Sequence, residues 1–187
     1  MKEEIIKSTE ILKQGGIILY PTDTIWGIGC DATNSESINR IFQIKGREDS
    51  KSLIILASDM DMVAKYVKEI PPMAISLDEV NDKPMTIIYP NAINLPENLI
   101  AEDGTIAIRI PRCEFCRELI RKFGKPIVST SANISGEKSP KNHSEISTQI
   151  KESVDYQVHP SMDRESTGRA SSIIKLGMNY EVKIIRE

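Results

Sequence analysis

Histidine and cysteine are scarce in this chain of 187 residues, two and three copies respectively, and one tryptophan with three phenylalanines leaves it poor in aromatics. Three cysteines, an odd count, supply no disulfide framework and point to a reducing, cytoplasmic home. His143 and His159 both fall in weakly patterned segments and read as solvated surface groups rather than catalytic ones. Cys113-x-x-Cys116 opens a predicted helix, where a thiolate is stabilised, but a structural zinc site needs a second pair that is missing. These cysteines therefore read as packing residues, and no metal site is expected. No run approaches the roughly 18 apolar residues of a membrane span. The charged, amphipathic opening MKEEIIKSTEILKQGG has no signal peptide's apolar centre. The P-loop pattern is absent, and the G-x-G of WGIGCD lacks the rest of a dinucleotide fingerprint. A net charge of -3 excludes a surface that is basic all over, while leaving local patches open.

What is present is a mixture of strand and helix signals from end to end, with no linker and no repeat. A first helix ends at Gly15-Gly16, and a buried strand over 17–20 leads to Pro21. A second helix begins near Asn34-Ser35 and stops at Gly46. SLIILAS reads as a buried strand, followed by a short helix through Val67 capped by Ser58 with Asp61. PPMAISLDEV and CEFCRELIRKFG read as helices; MTIIYP, TIAIRIP and PIVST as strands. A helix over 144–151, a strand over 154–158 and a hairpin of SSIIKL with YEVKIIRE complete the chain. The pattern predicts one α/β domain spanning 1–187, with a twisted sheet of mixed parallel and antiparallel strands around a concave cleft.

In open α/β sheets ligands bind beyond the carboxyl ends of the strands. Two loops there are dense in hydroxyls and amides: Thr22-Asp23-Thr24, and Ser129-Thr130-Ser131-Ala132-Asn133 with Ser135-Gly136. Such groups bind phosphate oxygens, ribose or a polar substrate, although singly they also cap helices and close turns. Lys45 and Arg47 flank Gly46 at a helix end. There basic side chains complement the helix dipole; together they could equally form a point charge beside a planar fork, a clamp for polyphosphate. Trp26 reads as a wall of the cleft or the core. From Arg109 to Lys125, six basic residues (Arg109, Arg112, Arg117, Arg121, Lys122 and Lys125) outnumber Glu114 and Glu118. That is either a solvated helix face or an RNA contact.

Taken in order, PTDTIWGIGCDATN, KGR, AIRIP and STSANISG resemble the YrdC-like threonylcarbamoyl-adenylate synthases, and the resemblance runs from about Gly15 to Arg186. It implies the YrdC-like fold in its short, single-domain form. It also implies a nucleotidyltransferase that joins L-threonine, bicarbonate and ATP into threonylcarbamoyl-AMP and pyrophosphate, for a downstream complex that modifies tRNA. Magnesium would come with ATP, with Asp23 as an outer contact. By the same resemblance Lys45, Arg47, Ser131 and Asn133 would be catalytic, and Thr22, Arg109, Ser129 and Ser172 would bind threonine. Lys45, Thr86, Ser131, Ser139 and Arg186 would bind the nucleotide. Trp26 stands where the family usually has tyrosine. The alternative is a non-catalytic module of the same fold that binds tRNA or duplex RNA.

Overall fold

The structure is a computed structural model that describes residues 1–46 and 53–187. Nine short strands form one sheet in the order β7-β1-β2-β6-β3-β5-β4-β8-β9. They are β1 (Ile18–Tyr20), β2 (Gly27–Gly29), β3 (Ile54–Leu56), β4 (Met85–Tyr89), β5 (Ile106–Arg109), β6 (Ile127–Ser131), β7 (Tyr156–Gln157), β8 (Ser172–Leu176) and β9 (Val182–Arg186). Pairings are mixed, as expected: β3 runs parallel to β5 and β4 to β8, while β6 is antiparallel to both β2 and β3.

Register divides this sheet into two faces, because side chains alternate along each strand and cross-strand partners share a side. Ile55 lies opposite Ile108 and Val128, and Ile108 opposite Ile87. All four are buried in one cluster with Leu12, Leu119 and Ile120. Complete burial of such a side chain contributes about 1.5–3 kcal/mol. On the other face Ile54 sits opposite Ala107 and Ser129, and Arg109 opposite Thr86. One face thus builds the core and the other presents serines and an arginine.

The helices are α1 (Lys2–Lys13), α2 (Ser35–Lys45), α3 (Met60–Val63), α4 (Pro72–Val80), α5 (Glu114–Phe123) and α6 (Thr148–Ser153). In α5, Phe115, Cys116, Leu119, Ile120 and Phe123 recur at helical spacing and are buried, and α5 packs against α1. Helix α2 starts where Asn34 Oδ1 accepts from the Ser37 amide at 3.0 Å, and ends at Gly46, whose φ of 59° is left-handed.

Three local expectations are corrected. The cap of α3 is Asp59, which accepts from the Met62 amide at 2.9 Å, while Ser58 Oγ donates to the Asp59 carboxylate. The late helix is α6, offset from 144–151, and its strand shrinks to two residues. The third is β2, a strand in a segment read as loop. Its glycines hid it, yet a Cβ on Gly29 would come within 2.2 Å of the Val128 carbonyl oxygen and 2.9 Å of the Tyr20 ring. Only glycine lets β2 lie this close to β6 and Tyr20.

Candidate active site

The polar face of the sheet opens into a cleft of about 330 Å³. Its lining combines the hydroxyl-bearing residues Thr24, Ser129, Thr130, Ser131, Ser139 and Ser171 with Arg109 and Arg186. Apolar positions, among them Ile54, Ile88, Ala107 and Ile173, form the rest, and no carboxylate lines it among the described residues. Two fixed positive charges, hydroxyl donors and an apolar strip suit an anionic ligand with a nonpolar part.

Lys45 reaches this site from the last turn of α2. The residue is 3 % exposed, and its ammonium donates to the Ser131 carbonyl oxygen at 2.6 Å and to the Ser131 hydroxyl at 3.3 Å. The Ser135 amide donates back to the Lys45 carbonyl oxygen at 2.9 Å, so the loop after β6 is tied to the end of α2 from both sides. Asn133 folds that loop around its own amide, donating to the carbonyl oxygens of Ile134 and Glu137, while its buried Oδ1 has no hydrogen-bond partner among the described residues. Arg47 falls outside the described residues.

Arg109 ends β5 at the floor of the cleft, and Arg186 ends β9 at its rim. Arg186 donates through Nε and Nη2 to the Ser171 carbonyl oxygen at 2.9 and 2.7 Å. Partial burial, and after it the nearby Arg109 guanidinium, draw Arg186 below the usual arginine range. Two like charges held together in one concavity favour an anion between them.

Of the positions nominated from sequence, Arg109, Ser129, Ser131, Ser139 and Arg186 line the cleft. Others stand one step behind its wall. Thr22 bonds the Thr24 hydroxyl at 2.8 Å and donates to the Ile25 carbonyl oxygen, so that Thr24 is the member of the triplet on the wall. Thr86 is fully buried and bonds the Ser171 hydroxyl at 2.8 Å. Ser172 is neighbour to that same Ser171. Sequence reasoning placed Thr24 and Thr130 in the two hydroxyl-rich loops without giving either a contact, and it missed Ser171 and the apolar wall, whose isoleucines look identical to core residues in a strand pattern. The parity shared with Arg109 across β3, β4 and β5 was the one available signal.

Asp23 is not on the wall. Its Oδ1 accepts from Arg109 Nη1 and its Oδ2 from the Arg112 amide at 2.9 Å. Both oxygens are thus committed inside the protein, which removes Asp23 as an outer contact for magnesium. Trp26 is fully buried, lines the cleft, and donates to Asp163 Oδ2 at 2.7 Å. His143 packs edge-on against it with ring centroids 4.9 Å apart, so it is part of this wall's support rather than a solvated group. His159 is exposed.

The cysteines are buried, and Cys116 Sγ donates to the Pro21 carbonyl oxygen at 3.3 Å. A hydrogen bond from Cys116 lowers the Cys113 thiol, whereas burial raises that of Cys116. No group of three or more His, Cys, Asp or Glu could hold a metal among the described residues, and no described helix is long and apolar enough to cross a membrane. The basic stretch from Arg109 to Lys125 is largely neutralised: Arg109 pairs with Asp23, Arg112 with Asp78, Arg121 with Glu118 and Lys125 with Asp31.

The Sua5/YciO/YrdC family model, described as telomere recombination, matches residues 10–187. A protein of Pseudoalteromonas translucida (strain TAC 125) named threonylcarbamoyl-AMP synthase is 37 % identical over 175 residues, covering 91 % of each chain. Among solved structures, a variant of P. abyssi Sua5 superposes with a TM-score of 0.88 at 27 % identity, covering 97 % of this chain and 55 % of that one. P. abyssi Sua5 complexed with L-threonine gives 0.84 at 28 % identity, covering 92 % of this chain and 50 % of that one. The chain therefore spans about half the length of these two archaeal proteins. With one model covering nearly all of its residues and a relative this similar across most of both lengths, the chain belongs to the Sua5/YciO/YrdC family.

Proposed function

We propose that this protein is a threonylcarbamoyl-AMP synthase, a nucleotidyltransferase that joins L-threonine, bicarbonate and ATP into threonylcarbamoyl-AMP and pyrophosphate. The observation that carries this reading is a cleft lined, among the described residues, by two arginines and six serines and threonines without a carboxylate, with the Lys45–Ser131 contact at one side. Supporting it are the relatives named threonylcarbamoyl-AMP synthase and the family structure complexed with L-threonine.

In this reading threonine's amine attacks the bicarbonate carbon, a C–O bond breaks and water leaves to give the carbamate, and a carbamate oxygen then attacks the α-phosphorus while pyrophosphate leaves. Positioning and charge stabilisation dominate such a transfer, and no protein nucleophile is required. Arg109, with Ser129 beside it, would hold the threonine carboxylate. Arg186 and Ser139 would hold nucleotide phosphates, with Ser131 and Lys45 on the opposite wall, and each charge-assisted bond contributes roughly 1.5–3 kcal/mol. Thr22, Thr86 and Ser172 would act through the hydroxyls they support, Thr24 and Ser171. Asn133, with an acceptor left over, would orient the loop and receive a donor from the ligand. Arg47, outside the described residues, would join the catalytic set by family resemblance alone.

Magnesium fits only as a passenger on ATP: the lining offers hydroxyls and cations, so the ion would keep phosphate and water ligands. The product would pass to a tRNA-modifying transferase complex in the cytoplasm. An RNA-binding role draws no support from the basic stretch, most of which is paired with acids. Purified protein should release pyrophosphate from ATP only when threonine and bicarbonate are both present; release indifferent to either would reject the reading.

A further inference from the structure

Asp23 and Arg109 form the most deeply buried ion pair among the described residues, with side chains 4 % and 5 % exposed. The cleft has a use for the arginine and none for the acid. Arg109 lines the wall and Asp23 does not, so the carboxylate acts on the ligand only through its partner.

Arg109 needs such a partner. Its backbone is fixed by pairing with Leu56 on one side and Thr86 on the other, but a guanidinium on a long flexible stem is not fixed by its backbone. Arg186 stands nearby with the same charge and drives it away from the cleft. Among the described residues the Arg109 side chain donates to Asp23 alone, which leaves the rest of its N–H donors available to a ligand in the cleft it lines.

Asp23 is itself held from several directions. Its Oδ2 accepts from the Arg112 amide at 2.9 Å, and its carbonyl oxygen accepts from the Thr167 amide at 3.2 Å. The Arg112 side chain then closes the end of α4, donating to the carbonyl oxygens of Asp78 and Asn81 at 3.0 and 2.8 Å. Buried at 3 % exposure and absent from the cleft wall, with a donor on each carboxylate oxygen, Asp23 does not face a substrate proton and is no candidate for the general base.

We propose that Asp23 is the positioning residue for Arg109, setting the guanidinium plane that receives the carboxylate of the amino-acid substrate. This rests on the reading of the cleft as a threonine site. Removing the charge while keeping the shape leaves Arg109 buried, repelled by Arg186 and free to rotate, which weakens threonine capture and leaves the nucleotide side of the cleft intact.

Threonine- and ATP-dependence of pyrophosphate release should be measured for wild type, Asp23→Asn, Asp23→Glu, Arg109→Gln and the Asp23→Asn/Arg109→Gln double variant, with thermal melts in parallel. Folded Asp23→Asn should raise the threonine KM on the order of 100-fold, as misplacement of a clamp does, with the ATP KM changed less than about threefold. Asp23→Glu should recover most of the loss. In the Arg109→Gln background, Asp23→Asn should add less than about threefold, because its effect runs through the missing guanidinium. That background also carries the test if Asp23→Asn alone does not fold, since no bare buried charge remains in the double variant. An unaltered threonine KM in folded Asp23→Asn, equal rises in both KM values, or full multiplication of the two effects would overturn the proposal while the synthase reading stands. Wild type without threonine-dependent release would overturn both.

Discussion

The Lys45 ammonium lies 2.6 Å from the Ser131 carbonyl oxygen although 86 residues separate the two. This contact joins the end of α2 to the end of β6, and the Ser135–Lys45 backbone bond repeats the junction. A left-handed glycine, a strand that ends in serine and a loop folded by its own asparagine together make one wall.

Replacing Lys45 by alanine should lower turnover by on the order of 100-fold or more, in line with the loss of a preorganised charge. Steady-state pyrophosphate release checks this. Urea unfolding should show a loss of about 1–3 kcal/mol, because the charge-assisted hydrogen bond to the Ser131 carbonyl oxygen is lost while, among the described residues, only the Asn133 amide still donates to it. Unchanged turnover would remove Lys45 from the site.

Gly29 and Gly46 should fail differently. Gly29→Ala pushes a Cβ into the Val128 carbonyl oxygen and should cost about 3 kcal/mol or more in urea unfolding. At Gly46 no described residue blocks a methyl group, Ile134 coming nearest at 3.8 Å. Gly46→Ala should therefore cost about 1–2 kcal/mol for its left-handed backbone, and lower turnover by shifting the Lys45 turn.

Acid stability offers a check at Asp103. Hydrogen bonds from Lys175 and Thr105 hold its carboxyl down at about 2, against an ordinary value of about 3.9. A group depressed on folding contributes stability that is complete above its unfolded value and lost as pH falls through the folded one. The contribution should therefore fade between pH 4 and 2, and Asp103→Asn should flatten that part of the denaturation profile. Because the side chain is half exposed, screening keeps the effect within about 1 kcal/mol.

Neutralising Arg117 and Arg121 together should change turnover less than about twofold, and tRNA should bind weakly, with a salt dependence typical of nonspecific contact. Filter binding across a salt series checks it. Tight binding lost in the double variant would reinstate an RNA contact on α5.

Helix ends were legible because their signals are local: Asn34 caps α2, and Gly46 and Gly124 adopt left-handed geometry where α2 and α5 stop. Polar cleft residues were legible because Ser131 and Arg109 end strands, with Ser129 two residues before the end of β6, where an α/β sheet offers its ligands support. Strand β2 was not legible, since Gly27 and Gly29 are chosen by the backbone of β6 and by Tyr20, neighbours no local window contains. Asp23 looked like a metal contact for the same reason: Arg109 and Arg112, which occupy it, are distant in sequence. The isoleucines of the cleft could not be told from core until register divided the two faces of the sheet.

A crystal structure with L-threonine and a nonhydrolysable ATP analogue tests most directly whether these distant residues surround one anionic ligand. The account predicts the threonine carboxylate on Arg109 beside Ser129, and phosphate oxygens within hydrogen-bond reach of Ser131, Ser139 and Arg186. Both ligands bound away from this cleft, with Arg109 and Arg186 untouched, would contradict it.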